Sequence, residues 1–336
     1  MTVRVAINGF GRIGRLVLRS IAEYARDDIE VVGINDLGPT KTNAHLLKYD
    51  SVHGRFPAEI GVKGDDILVN GRTIRVSAIK DPSQLPWAEL GVDIAFECTG
   101  IFTARDKAAA HLQAGAKRVL ISAPGENADK TIVYGVNHAR LSRDDIIVSN
   151  GSCTTNCLAV VAKVLHDKVG IARGYMTTVH SYTNDQPTLD QMHKDLYRAR
   201  AAATSMIPTS TGAAKALGLV IPELAGRLDG SSIRVPTPNV SVVDLVFTPE
   251  RATSVEEVNM AMLEAANGPM KGVLVTTDEP LVSIDFNHSP ASANFALPQT
   301  QAIDGGKLMR VLAWYDNEWG FATRMADTAL LMARFL

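Results

Sequence analysis

Apolar and polar positions first alternate in a way that predicts βαβ units. A short, mostly apolar run, Val3-Arg4-Val5-Ala6-Ile7, is followed by a glycine-rich turn and then by helical spacing over residues 16–24. A second such run, Ile29-Glu30-Val31-Val32-Gly33-Ile34, ends in Asn35-Asp36. Apolar runs of this length between turn residues and amphipathic helices predict parallel strands buried on both faces. The pattern continues with strands over 93–98 and 118–122 and a helix over 106–114, and 131–135 and 145–148 extend the sheet. Residues 66–69 and 72–76, joined by Asn70-Gly71, predict a hairpin insertion with a two-residue turn.

Beyond residue 150 the pattern changes. Helical spacing over 158–165 is followed by a strand over 174–179, which delivers His180 at its end. Residues 181–208 have no clean period, and such a long irregular loop in a compact domain is functional or disordered. A helix over 213–217, a strand around Arg234, a long strand over 239–247, a helix over 254–266 and strands over 281–285 and 308–315 follow. This mixture predicts a largely antiparallel sheet with helices on one face. The final helix, 322–335, is expected to pack back on the first domain. The expected fold is therefore α/β: a doubly wound first domain over 1–150, an α+β domain over 151–317 and a C-terminal helix over 318–336.

Composition narrows the class. The 336 residues are 46% hydrophobic and 21% charged, ordinary for a soluble protein. A net charge of −2 gives no general attraction to nucleic acid or anionic membrane. Three cysteines make no disulfide framework, which favours a reducing cytoplasm. No signal peptide, membrane span, repeat or low-complexity linker is expected.

Candidate chemistry gathers at the turns. Gly9, Gly11 and Gly14 match G-x-G-x-x-G between a strand and a helix. The first glycine permits the turn, the second lets a pyrophosphate reach the backbone, and the third permits close helix–strand packing. Asp36 follows at the interval of roughly 20 residues where an acid accepts from the ribose hydroxyls and repels the extra phosphate of NADP. This is a Rossmann-type signature, and NAD is expected. Thr99, Gly100 and Ser122 fall at carboxyl ends of strands, where open parallel sheets bind their ligands.

Cys153 lies in Ser149-Asn150-Gly151-Ser152-Cys153-Thr154-Thr155-Asn156-Cys157, where a strand gives way to a helix. Helix N-terminal N–H groups favour a thiolate there. The plainer alternative is a small buried hydrophobe, as Cys98 is expected to be. Cys153 and Cys157 are too far apart on a helix for an unstrained disulfide, and no Cys/His cluster suggests zinc. His180 gains meaning from Cys153, because an imidazole can take the thiol proton and pair with the thiolate. Thr211-Gly212 at a helix start reads as an anion site, and Arg234 inside a strand invites an anionic partner.

These residues, and the blocks around them, resemble the phosphorylating glyceraldehyde-3-phosphate dehydrogenase family nearly end to end. The resemblance is carried by Ile7 with Asn8-Gly9-Phe10-Gly11-Arg12-Ile13-Gly14-Arg15, by Lys48-Tyr49-Asp50-Ser51-Val52-His53-Gly54, by Ser152-Cys153-Thr154-Thr155-Asn156-Cys157, and by Arg234-Val235-Pro236-Thr237-Pro238-Asn239. Thr211-Gly212-Ala213-Ala214-Lys215 and Trp314-Tyr315-Asp316-Asn317-Glu318 add to it. It implies a Cys153 hemithioacetal and thioester with His180 as base, hydride transfer to NAD, and attack by inorganic phosphate. It also implies that Ser152, Thr154, Thr211 and Gly212 hold the attacking phosphate, and that Thr183, Arg198 and Arg234 serve the two anion sites. Arg12, Ile13, Asp36, Lys80, Ser122 and Asn317 match cofactor positions, and a cytoplasmic homotetramer with a role in glycolysis and gluconeogenesis is implied. No metal is expected. The chain departs from the family's common pattern at Gly151, Val160, Gln191-Met192 and Lys80. The related erythrose-4-phosphate dehydrogenase and a non-catalytic NAD-binding regulator are the alternatives. Retention of Cys153, His180 and the Thr211–Gly212 pattern weighs against both.

Overall fold

The computed structural model describes residues 2–336, which divide into two compact units, 2–152 with 322–336 and 153–321. The first unit is built on a nine-stranded sheet. Val3–Asn8 lies in its middle, between Ile94–Glu97 and Ile29–Asn35, and both pairings are parallel. Arg118–Ile121, Ile147–Ser149 and Lys130–Thr131 continue the sheet on one side, also parallel. Central strands are apolar and almost wholly buried, as Val5, Ile7, Ile94, Phe96 and Val119 show, because helices must cover both faces of a parallel sheet.

On the other side the predicted hairpin forms, with Asn70 and Gly71 both at positive φ (50° and 78°). It is not an appendage: Arg72–Ser77 pairs in parallel with Ile29–Asn35 and so extends the main sheet, while Asp66–Val69 and Ile60–Lys63 follow antiparallel.

The second unit carries an eight-stranded, mostly antiparallel sheet. Arg173–Ser181 pairs in parallel with Leu228–Val235 and antiparallel with Ser241–Thr248, which in turn pairs antiparallel with Leu308–Tyr315. The helix Cys153–Val169 is buried along Cys157, Leu158, Val160, Val161 and Leu165. In the first unit the strand expected over 131–135 is confined to Lys130–Thr131, and in the second unit two expected strands differ. Residues 281–285 form no strand; the Asp285 carboxylate accepts from the Val282 N–H at 2.8 Å and turns the chain into a 3-10 helix, Ser283–Phe286. The strand expected from residue 239 begins at Ser241, because Val240 has φ 68°, which cannot continue a strand. Among the described residues, no helix is long and apolar enough to cross a membrane, and no group of three His, Cys, Asp or Glu is placed to hold a metal.

Candidate active site

In the first unit the glycine turn distinguishes packing from access. Gly9 has φ 89°, and a Cβ there would stand 2.7 Å from the Thr99 nitrogen; a Cβ on Gly14 would stand 2.2 Å from the Gly9 carbonyl oxygen. The protein's own packing demands both glycines. Gly11 is different: a Cβ there would meet nothing within 4 Å. It precedes the helix Arg12–Glu23 with no side-chain cap, so the helix start presents bare backbone that fits a pyrophosphate. Asp36 accepts from the Phe10 N–H at 2.9 Å and the Gly38 N–H at 2.8 Å, tying the acidic loop to the glycine turn. Arg12 is held by Asp50 at 2.6 Å. Burial opposes the Asp50 charge, but the N–H groups of His53 and Val52 and the Arg12 guanidinium outweigh it and lower its pKa to about 2. Ile13, Thr99 and Ser122 are half-buried, whereas Lys80 and Gly100 are exposed.

In the second unit Cys153 is the first residue of its helix, and its Sγ stands 3.5 Å from His180 Nε2. Ser152 precedes it, half-buried, and Gly151 has φ 67°, a conformation in which glycine avoids the strain an alanine would carry. The parallel register sets His180 beside Arg234. His180 Nδ1 lies 2.7 Å from the Ser181 carbonyl oxygen and 2.8 Å from Arg234 Nη1. The Ser181 carbonyl oxygen can only accept, and Arg234 Nη1 itself donates to it at 3.1 Å, so the ring proton sits on Nδ1 and the Nε2 lone pair faces the sulfur. Burial, and then the Arg234 charge, push the His180 pKa down to about 3, against the opposing Ser181 carbonyl. Burial pushes the Cys153 thiol up, while Arg234 and the backbone N–H groups of Thr154 and Cys153 at the helix start pull it down. Both shifts favour a thiol beside a neutral imidazole, which leaves His180 Nε2 placed to accept the Cys153 proton. Cys157 is fully buried, its sulfur 3.8 Å from the Ala313 carbonyl oxygen.

Four residues that the sequence pattern does not single out for the site, Tyr315, Thr178, Ser181 and Ser241, prove central to its geometry. Tyr315 is buried, with its hydroxyl 2.8 Å from Thr154 Oγ1 and 2.9 Å from Thr178 Oγ1, and its ring edge-on to His180. Thr178 donates to the Val242 carbonyl at 3.0 Å, so Tyr315 donates to Thr178 and Thr154 donates to Tyr315. The Thr154 hydroxyl is thus turned inward. Ser181 and Ser241 donate to the Asn317 carboxamide oxygen at 2.8 and 2.9 Å, which leaves its NH2 as the group available to a ligand. The inward parity of residue 315 in an alternating strand was the available signal for Tyr315, since a buried phenol needs a partner.

The anion-site candidates fall on separate elements. Thr211 accepts from the Ala213 N–H at 3.2 Å at the start of the helix Ala213–Val220, and Gly212 caps it. Arg234 is partly buried, and its Nε has no hydrogen-bond partner in the structure. Arg198 is already engaged: it pairs closely with Asp185, and its Nε lies 3.3 Å from Asp195. Thr183 is exposed and its hydroxyl reaches Gln186 at 3.3 Å.

A parallel sheet with this glycine turn, and a second unit pairing a helix-start cysteine with a histidine, are the equipment of a dehydrogenase that works through a thiol. Residues 3–105 match the family model described as glyceraldehyde 3-phosphate dehydrogenase, NAD binding domain, and residues 152–317 match its C-terminal domain. Glyceraldehyde-3-phosphate dehydrogenases of Cereibacter sphaeroides and Xanthobacter flavus are 70% and 68% identical to it, across 100% and 99% of both chains. That of Geobacillus stearothermophilus is 58% identical, across 99% of both. The chain belongs to the glyceraldehyde-3-phosphate dehydrogenase family.

Proposed function

We propose that the chain oxidises D-glyceraldehyde 3-phosphate to 1,3-bisphosphoglycerate with NAD and inorganic phosphate, as a step of glycolysis and gluconeogenesis. The observation that carries this reading is the 3.5 Å approach of Cys153 Sγ to His180 Nε2, with Arg234 on the far side of the imidazole. His180 takes the thiol proton as the sulfur adds to the aldehyde carbon, and Arg234 and the helix start stabilise the thiolate that forms. The Cys153 N–H and the protonated His180 then donate to the oxyanion of the hemithioacetal. NAD, when bound, supplies the hydride acceptor that turns this adduct into a thioester. Phosphate attacks the thioester carbonyl, and the Cys153 sulfur leaves.

Ser152, Thr154, Thr211 and Gly212 hold the attacking phosphate in this reading. Since its hydroxyl faces Tyr315, Thr154 contributes through its backbone N–H. Thr183, Arg198 and Arg234 serve the two anion sites. Gly9, Gly11, Arg12, Ile13, Gly14, Asp36, Lys80, Thr99, Gly100, Ser122 and Asn317 hold the cofactor, with residues 1–150 and the helix over 318–336 as the NAD domain and 151–317 as the catalytic domain. A cytoplasmic homotetramer accords with the irregular loop, where Leu189, Met192, Leu196, Tyr197 and Met206 are all more than 60% exposed.

One assay tests the reading. NAD reduction is followed with glyceraldehyde 3-phosphate or erythrose 4-phosphate, with and without phosphate. Strong phosphate stimulation on the triose is expected; preference for the tetrose without stimulation would refute it.

A further inference from the structure

Four neighbouring strands of the first unit end in polar side chains that the reaction does not use. Glu97, Asn8, Asn35 and Ser77 close the strands Ile94–Glu97, Val3–Asn8, Ile29–Asn35 and Arg72–Ser77. The register sets Glu97 opposite Asn8, Asn8 opposite Asn35, and Asn35 opposite Ser77. Their side chains bond in the same order. Asn8 Nδ2 donates to Glu97 Oε2 at 2.7 Å, Asn35 Nδ2 donates to Asn8 Oδ1 at 2.8 Å, and Ser77 Oγ donates to Asn35 Oδ1 at 3.1 Å.

Glu97 sets the direction of this ladder. It is 1% exposed, and donors face it from every side. Its Oε1 accepts from the Thr99 N–H at 2.8 Å and closely from the Thr99 hydroxyl, and its Oε2 also meets His111 Nε2 at 2.9 Å. His111 Nδ1 in turn lies 3.0 Å from the Trp87 indole nitrogen. An indole N–H only donates, so the His111 proton sits on Nε2 and points at Glu97. With both Glu97 oxygens accepting, the Asn8 amide has one permitted orientation, since a reversed amide would set acceptor against acceptor at Glu97 and donor against donor at Asn35. The Asn35 amide is held in the matching sense by the Ile79 backbone, accepting from its N–H and donating to its carbonyl, both at 2.9 Å.

Each rung opens into a loop assigned above to the dinucleotide. Gly9 follows Asn8, Asp36 follows Asn35, Cys98 and then Thr99 follow Glu97, and Lys80 lies just beyond Ser77. The Thr99 backbone also packs against Gly9 closely enough to exclude a Cβ. We propose that Glu97 is a positioning residue for the dinucleotide site: the polarised ladder it anchors holds four ligand-facing loops at one spacing. This rests on the dinucleotide reading of that edge of the sheet.

Calorimetric titration with NAD separates the two ideas. Absence of binding by the unaltered protein would overturn the dinucleotide reading itself. Given binding, Glu97→Gln sets an amide donor against donors already present, and an affinity loss of about tenfold is expected. That loss should fall on KM for NAD and leave KM for the aldehyde unmoved, which a general loosening of the fold would not do. Adding Asn8→Asp to Glu97→Gln restores a matched donor and acceptor between the two strands but leaves the His111 N–H facing the new amide, so affinity should recover in part, by about threefold over the single variant. A folded Glu97→Gln protein that binds NAD within about twofold of normal overturns the proposal, as does a double variant no better than the single. If Glu97→Gln does not fold, Ser77→Ala at the half-buried end of the ladder decides: about threefold weaker binding is expected, and unchanged affinity overturns the proposal.

Discussion

Arg234 Nη1 stands 2.8 Å from His180 Nδ1, so a permanent cation bears on the imidazole from the side opposite the nucleophile. The charge has two effects of opposite sign: it disfavours imidazolium and favours thiolate. Arg234→Leu removes both. We expect kcat/KM for the aldehyde to fall by about a hundredfold or more. His180 then protonates more readily, so the acid limb of the pH–rate profile should move to higher pH. A steady-state pH series on the variant checks this, and an unmoved acid limb would show that burial alone sets the imidazole.

Alkylation distinguishes a resting thiol from a resting thiolate. With burial holding the Cys153 proton on sulfur, the rate of carbamidomethylation should climb through the alkaline range rather than run level down to about pH 6. Because His180 accepts that proton, His180→Asn should slow alkylation at pH 7 by about tenfold or more.

Acid should act on stability in two windows. His180 ordinarily titrates near 6.5 but only at about 3 when folded, so the unfolded chain binds the extra proton and stability falls as pH drops from 6.5 toward 3. Asp50 is lowered from 3.8 to about 2; its contribution is whole above the unfolded value and disappears as pH falls through the folded one. That shift corresponds to about 2 kcal/mol before solvent screening is discounted, and Asp50→Asn should cost up to that amount at pH 7 and nothing below about pH 2. Urea melts across the acid range give both windows.

Val240 offers a test of strain. Its φ of 68° is unfavourable for a branched side chain, yet it precedes Ser241, which holds Asn317. Replacing a buried strand valine such as Val243 by glycine should cost about 3 kcal/mol or more from lost burial and added chain freedom. Val240→Gly should cost about 1–2 kcal/mol less, because the strain is released. Equal losses in denaturant melts would argue against stored strain at Val240.

The parallel unit was legible because its apolar runs, glycine turn and Asn70-Gly71 hairpin are local signals. Cys153 and His180 were legible as residue types, and the 3.5 Å contact joins them. Their charge state was not, since burial depends on neighbours distant in sequence. The same holds for Tyr315, whose partners Thr154 and Thr178 lie more than a hundred residues away, and for the ladder from Glu97 to Ser77, whose rungs meet only once four strands are in register. Residues 281–285 misled for the opposite reason: an apolar run carried the strand pattern, and one carboxylate accepting a nearby N–H redirected it.

Arg198 shows what a pre-neutralised cation does. Its guanidinium is flanked by Asp185 and Asp195, so a passing chloride meets a cation that two carboxylates already more than offset. An oxyanion has to outbid two carboxylates, and it can do so only by presenting several oxygens at once. Ionic competition in the cell is thereby decided by the geometry of the anion more than by its abundance.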